Sequence, residues 1–365
     1  MRNFTCLATL FLLAAGAARA EIAIGVAGPM SGANASFGVQ LREGATEAVA
    51  DINAKGGVLG DQLTLVVGDD ACDPRQAVSV ANDMASRGVL FVDGHYCSAS
   101  SIPASKVYTD AGIIEISPAS TNPTYTDQGD WNIFRVCGRD DQQGKVAGQY
   151  IAKNFAAQKI AILNDNSAYG KGLADQTKKF MNAAGKQEAE YLTYVPGESD
   201  YSALVSRLKE DGIQVAYLGG YHPDGGLILR QAHAQGLNLL LIGGDALVTS
   251  EFWQITGAAG EGTLMTFPSD PRNLPSAAAV VQDFKKRGVD PEGYVLYSYA
   301  TVQVWAEAAA KAGTSDPVKV AAEMKSGGPW NTVLGPIAFD AKGDIVNSNY
   351  VFYRWHDGTY AEIGK

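Results

Sequence analysis

The sequence predicts an α/β protein made of two similar units, each a mainly parallel sheet flanked by helices. Three observations point there. Strand-like and helix-like segments alternate, which gives parallel strands joined by helical crossovers. The alternation restarts near residue 138. The chain has 365 residues, more than one hydrophobic core usually serves.

In order, Ile22–Ala27 reads as the first strand, followed by a Gly/Ser turn and a helix from about Gly38 to Lys55. Leu63–Val67 is the next strand, and Pro74 opens the next helix. Val89–Val92 and Ile113–Ile116 are strands on either side of a helix that begins near Ser98. The second unit starts with a helix over Asp140–Phe155, then a strand over Lys159–Leu163 and a helix after Tyr169-Gly170-Lys171-Gly172. Val215–Leu218 and Leu239–Ile242 are further strands, separated by a helix near Gly225–Gln235. Between Gly262 and Leu274 the rhythm lapses, and Phe267-Pro268-Ser269-Asp270-Pro271 reads as a connector. Helices follow at Ser276–Arg287 and Tyr294–Ala312, and Gly335–Phe339 and Tyr350–Trp355 look β-like.

Residues 1–20 read as a cleaved secretory leader: a basic start at Arg2, an apolar run over Phe4–Leu13, and Ala18-Arg19-Ala20 before Glu21. No other apolar stretch is long enough for a membrane helix, so the mature protein is expected to be exported and soluble. Cys6 leaves with the leader, and Cys72, Cys97 and Cys137 remain. In an oxidising compartment one bridge is expected. Cys72–Cys97 would close a loop of about 26 residues and stabilise by roughly 3–4 kcal/mol; three unpaired thiols are the alternative. The formal charge of -10 argues against nucleic acid, and no basic stripe opposes that.

Enzyme signatures are missing. There is no Gly-x-Ser-x-Gly elbow and no Cys-x-x-Cys, and Gly138–Lys145 fails as a phosphate loop because Val146 stands where Ser or Thr is needed. Gly25–Gly32 follows a strand but is not Gly-x-Gly-x-x-Gly. His95, His222, His233 and His356 have no metal-ligand spacing, so neither a metal nor a cofactor is expected. His95 and His222 fall on loops after strands, where hydrogen bonding is the simpler role and catalysis the alternative.

The loops after strands instead carry groups suited to a zwitterion, at the strand ends where open parallel sheets bind ligands. Ser98 opens a helix and can hold a carboxylate through its hydroxyl and nearby N–H groups, or simply cap that helix. In Ser117–Pro123 the exposed carbonyls can accept from an ammonium, and Thr121 can donate to a carboxylate. Asp245, in Gly243-Gly244-Asp245, can pair with an ammonium or merely serve a turn. Tyr169, Tyr221 and Phe37 can cover a ligand or pack. No arginine lies in the Ser98 or Thr121 loops, which disfavours a phosphate or dicarboxylate.

Several stretches carry a family resemblance: Ala50–Gly57, Asp69–Val78, Gly94–Ser98, Tyr169–Ala174 and Gly219–Pro223. Over essentially the whole mature length the chain resembles the periplasmic branched-chain amino acid-binding proteins of ABC importers, the Leu/Ile/Val-binding type. The resemblance implies a type I periplasmic binding protein fold: two Rossmann-like lobes with a hinge of three crossovers, the first lobe 21–138 with 268–347, the second 139–267 with 348–365. It implies a Cys72–Cys97 bridge. It implies that Ser98 and Thr121 bind the ligand carboxylate, that the Ala119 carbonyl and Asp245 bind the ammonium, and that Tyr169 and Tyr221 close from the second lobe. Phe37 and Tyr294 would border the side-chain pocket. Implied partners are a free neutral amino acid and a membrane permease, with no membrane insertion, and the protein is expected to be a periplasmic monomer.

Two departures bear on ligand choice. The family often has Glu where this chain has Asp245, and a smaller aliphatic residue where it has Tyr96. Small or mid-sized neutral amino acids such as alanine, valine or proline therefore stand beside leucine as expected ligands. The alternatives are a sensor of an amide, urea or aromatic acid, and an exported hydrolase using Ser98 and His95.

Overall fold

The computed structural model describes residues 21–364; the expected leader and its cleavage site lie outside them. The chain builds two sheets. The first contains β1 (Glu21–Gly28), β2 (Gln62–Asp69), β3 (Phe91–Gly94), β4 (Ile114–Ser117) and β5 (Ile133–Arg135), in the order β2-β1-β3-β4-β5. All its pairings are parallel. The helices between these strands are α1 (Ala35–Ala54), α2 (Pro74–Ser86), α3 (Ser98–Ala111) and the single turn α4 (Thr124–Asp127).

The second sheet begins with α5 (Asp140–Asn154), β6 (Ile160–Asn164), α6 (Ala168–Ala183), β7 (Glu190–Thr193), α7 (Ser202–Glu210), β8 (Val215–Gly219), α8 (His222–Ala234), β9 (Leu240–Gly243), α9 (Ser250–Thr256) and β10 (Leu264–Phe267). The chain then returns to the first half for α10 (Ala278–Lys286), α11 (Val295–Ala312), α12 (Pro317–Ser326) and the hairpin β11 (Trp330–Thr332) and β12 (Gly335–Ile337). It ends in the second sheet with β13 (Val351–His356) and β14 (Thr359–Glu362), for the order β14-β13-β10-β9-β8-β6-β7. The connections after β5, β10 and β12 are the three crossovers.

The second sheet is parallel except where β13 pairs antiparallel with β10 and β14. Among the described residues no helix is long and apolar enough to cross a membrane. On the first sheet α1 and α11 cover one face through Phe37, Leu41 and Trp305, while α2 and α3 cover the other through Ala81, Met84 and Tyr108.

Two strand boundaries move for one reason. β3 starts at Phe91 rather than Val89, and β4 at Ile114 rather than Ile113. In each case the preceding helix ends on a left-handed glycine, Gly88 or Gly112, and the next residue bonds back to the helix: Val89 N–H to Met84 and Ile113 N–H to Tyr108. That closure takes the first apolar residue for the helix end. The lapse expected over Gly262–Leu274 holds a strand, β10, paired with β9 and β13 and buried along its length. Four residues buried on both faces show no alternation to read; the connector starts only at Pro268. The short β5, β7 and β14 also went unread.

Each sheet reverses its strand order once, between β1 and β3 and between β6 and β8. Such points open crevices at the carboxyl ends of the strands. At the second of them, Gly170 and Gly219 meet closely. A Cβ on Gly170 would lie 2.5 Å from the Gly219 carbonyl oxygen. Only glycines let α6 sit this near β8, and the contact sets Tyr169 beside Tyr221.

Cys72 and Cys97 form a disulfide, and Cys137 is a buried free thiol. The bridge ties the loop after β2 to the start of α3. Replacing both cysteines by serine should lower unfolding stability by about 3 kcal/mol, measured by chemical denaturation. An unchanged midpoint would show that the bridge does not constrain the unfolded chain.

Candidate functional site

The first half of the site is a polar knot at the carboxyl edge of β3 and β4. His95 is fully buried. Its Nδ1 lies 2.5 Å from Asp70 Oδ2 and its Nε2 2.9 Å from the Tyr108 hydroxyl. Its carbonyl accepts from the Ser117 hydroxyl at 2.7 Å and lies 3.2 Å from the hydroxyls of Ser101 and Ser120, which are 2.6 Å from each other so that one of them donates to the other. The ring of His95 thus holds the disulfide loop, and its carbonyl holds the loop after β4. Both ring nitrogens are engaged away from Ser98, whose Oγ instead accepts from the Asn122 N–H at 3.3 Å. The Ser98–His95 pair that a hydrolase would need is not formed.

Arg135 braces the same loop from behind. It donates to the carbonyls of Ser120 (2.6 Å) and Asn122 (3.0 Å) while paired with Asp344 on the third crossover. The two loops themselves contain no arginine, as the sequence indicated, yet a guanidinium from β5 fixes the backbone of the Thr121 loop.

The second half is centred on Asp245, in the turn after β9 and only 3% exposed. It accepts from the Tyr169 hydroxyl at 2.8 Å, from Gln143 Nε2 at 3.0 Å, and from the Tyr294 hydroxyl. A carboxylate has about four lone-pair positions, so three donors leave about one for a ligand. Burial pushes the Asp245 carboxyl up from its ordinary value, and the donors from Tyr294, Tyr169 and Gln143 pull the other way.

Between the halves lies a narrow cavity of about 10 Å³, room for about one water, lined by Tyr96, Ser98, Ala119, Tyr169, Tyr221 and Asp245. The wall holds one carboxylate and no cation. Six of the nine residues expected to bind ligand therefore meet at one surface. The other three, Phe37, Thr121 and Tyr294, are buried beside it. Phe37 stacks on Tyr96 with ring centroids 4.3 Å apart, and Tyr294 packs edge-on against Tyr96 at 5.5 Å. The halves also touch directly: Asn122 Nδ2 donates to the Ala168 carbonyl at 2.6 Å, and Ser250 Oγ to Glu292 at 3.0 Å.

Sequence reasoning missed Gln143 and Arg135, whereas the hydrogen-bonding role expected of His222 is the one it has. His222 is buried, sets its ring edge-on to Phe37 and bonds Glu251 at 2.9 Å. Gln143 and Arg135 offered no signal, because they reach the site from α5 and β5.

The buried Asp245 sets a pH expectation. A carboxyl whose pKa is raised in the folded state stabilises fully below its ordinary value, 3.8, and loses that contribution as pH rises through the raised one. Asp245→Asn should therefore raise the melting temperature of the ligand-free protein at neutral pH, with the gain fading as pH falls toward 4. A gain that instead grew on acidification would contradict the assignment.

Comparison with known proteins agrees with this architecture. Residues 21–359 match the model of the periplasmic binding protein family. The chain is 50% identical over 343 residues to Leu/Ile/Val-binding protein homolog 1 of Brucella suis, covering 94% of this chain and 92% of that one. It is 48% identical over 350 residues to the amino acid binding protein of Pseudomonas aeruginosa, covering 95% and 93%. Among solved structures, the branched-chain amino acid transporter substrate-binding protein of Streptococcus pneumoniae, in complex with isoleucine, superposes with a TM-score of 0.85 at 27% identity over 94% of this chain and 98% of that one. With its two crossover-linked α/β halves and a family match along nearly all of its described length, the chain belongs to the periplasmic binding protein family.

Proposed function

We propose that this protein captures a free neutral α-amino acid between two lobes and delivers it to the permease of an ABC importer, without chemical turnover. The observation that carries this is the cavity wall: a buried carboxylate, Asp245, faces the hydroxyl-rich start of α3, with no side-chain cation in between. A zwitterion supplies what each side lacks. Its ammonium meets Asp245 and the Ala119 carbonyl. Its carboxylate meets Ser98 and the Thr121 loop, where main-chain N–H groups at a helix start favour an anion. An aromatic acid without an ammonium would leave the buried Asp245 without a partner, so that alternative fits the wall less well.

We take the lobes as 21–138 with 268–347 and 139–267 with 348–365, a division supported by sheet membership. Ligand contacts with Tyr169, Tyr221 and Asp245 from one lobe, and with Ser98 and Ala119 from the other, favour the closed state by differential affinity. Tyr96, Phe37 and Tyr294 crowd the side-chain end of the cavity, which favours alanine, valine or proline over leucine. The named relatives are called Leu/Ile/Val-binding and amino acid binding proteins, and membership of the periplasmic binding protein family supports a periplasmic location; the carrier is proposed to act as a monomer.

Calorimetry with a panel of free amino acids tests the proposal. At least one small neutral amino acid should bind, and Asp245→Ala should weaken it by about 2–5 kcal/mol, the effect of stripping a buried charge pair of one partner. Binding of amides or aromatic acids in place of every amino acid would overturn the proposal.

A further inference from the structure

The three crossovers share a second, larger cavity of about 320 Å³. Val136 lines it from the first crossover, Pro268 and Pro271 from the second, and Ile345 and Asn347 from the third. It has no lining residue in common with the cavity at Asp245. Its volume falls within the range of small-molecule sites, about 300–1,000 Å³.

The lining says what such a molecule would be. No charged side chain faces this cavity, so a charged molecule would lose its hydration with nothing to replace it. The two prolines offer flat apolar surfaces, and Leu334 and Ile337 of the hairpin add aliphatic ones. One polar group stands out. Tyr297, near the start of α11, also lines the cavity and is only 5% exposed. Its ring packs against Phe267 at 5.7 Å and Tyr294 at 5.6 Å. Its hydroxyl has no hydrogen-bond partner among the described residues. A buried tyrosine hydroxyl ordinarily finds one, and the open space beside this residue is the cavity. A hydroxyl both donates and accepts, so a neutral alcohol could satisfy it.

We propose that this cavity binds a small uncharged molecule with a flat apolar body and a hydroxyl, and that its occupancy favours closure of the lobes. Any movement of one lobe against the other turns at the crossovers, where hinge residues absorb the change in backbone angles. The cavity has its present shape with the halves in contact, through Asn122 to Ala168 and Ser250 to Glu292. A ligand fitted to that shape stabilises that arrangement. An amino acid held between the lobes does the same, so each strengthens the binding of the other. The two cavities are also linked by side chains: Tyr297 packs on Tyr294, whose hydroxyl bonds Asp245.

The site stands apart from the amino-acid reading, whereas its coupling to closure rests on that reading, and the test separates the two. Benzyl alcohol is the probe, followed by ligand-detected NMR titration of the whole protein. It should bind with a Kd at or below about 5 mM, as expected for a ligand of its size. Benzoate, with the same ring and a charge, should not displace it. Ala338→Phe, which sets a ring into the cavity from its wall, should abolish binding. Tyr297→Phe keeps the ring packing, and should weaken binding about three- to tenfold for the lost hydrogen bond. Calorimetry at saturating benzyl alcohol should show the tightest-binding amino acid held at least about fivefold more tightly. No binding to wild type, displacement by benzoate, or undiminished binding to both variants would overturn the site. Unchanged or weaker amino-acid affinity would overturn the coupling and leave the amino-acid reading standing. If no amino acid binds wild type, that reading and the coupling fall together, and the benzyl alcohol titration still decides the site.

Discussion

One carbonyl oxygen, that of His95, organises the ligand side of this molecule. Three serine hydroxyls converge on it, two of them from the loop after β4. The same residue's ring locks the loop after β2 through Asp70. A loop cannot present N–H and hydroxyl groups to a ligand unless its other polar groups are satisfied from within. Here that satisfaction is concentrated in one buried residue, and the Cys72–Cys97 bridge holds the same segment from its other end. Ser98 and Ala119 take their positions from this knot.

The opposite wall follows a different rule. Asp245 is buried at a cost, offset only in part by two tyrosine hydroxyls and an amide. A fold optimised for stability alone would not put a carboxylate there. Tyr169 comes from α6 in the same half as Asp245, and Tyr294 from just before α11 in the other. One of the hydrogen bonds that steady Asp245, the one from Tyr294, therefore joins the two halves, while those from Tyr169 and Gln143 stay within its own half.

Much of this was legible in the sequence, and the limits have physical causes. The alternation of apolar strands and amphipathic helices gave the α/β class, and Ser98, Tyr169, Tyr221 and Asp245 announced themselves by standing just after strands. Strand starts at Val89 and Ile113 were misplaced because a left-handed glycine hands the first apolar residue to the helix end. β10 was invisible because a four-residue strand buried on both faces has no period. Arg135 and Gln143 could not be found because each reaches the site from β5 or α5 through tertiary packing. Distance along the chain says nothing about that.

The most direct measurement is the structure of the complex with the tightest-binding amino acid. The account predicts the ligand enclosed between the halves, its carboxylate within hydrogen-bond reach of Ser98 and its ammonium against Asp245 and the Ala119 carbonyl. A ligand held in the reverse sense, with its carboxylate at Asp245, or seated outside the cavity, would contradict it.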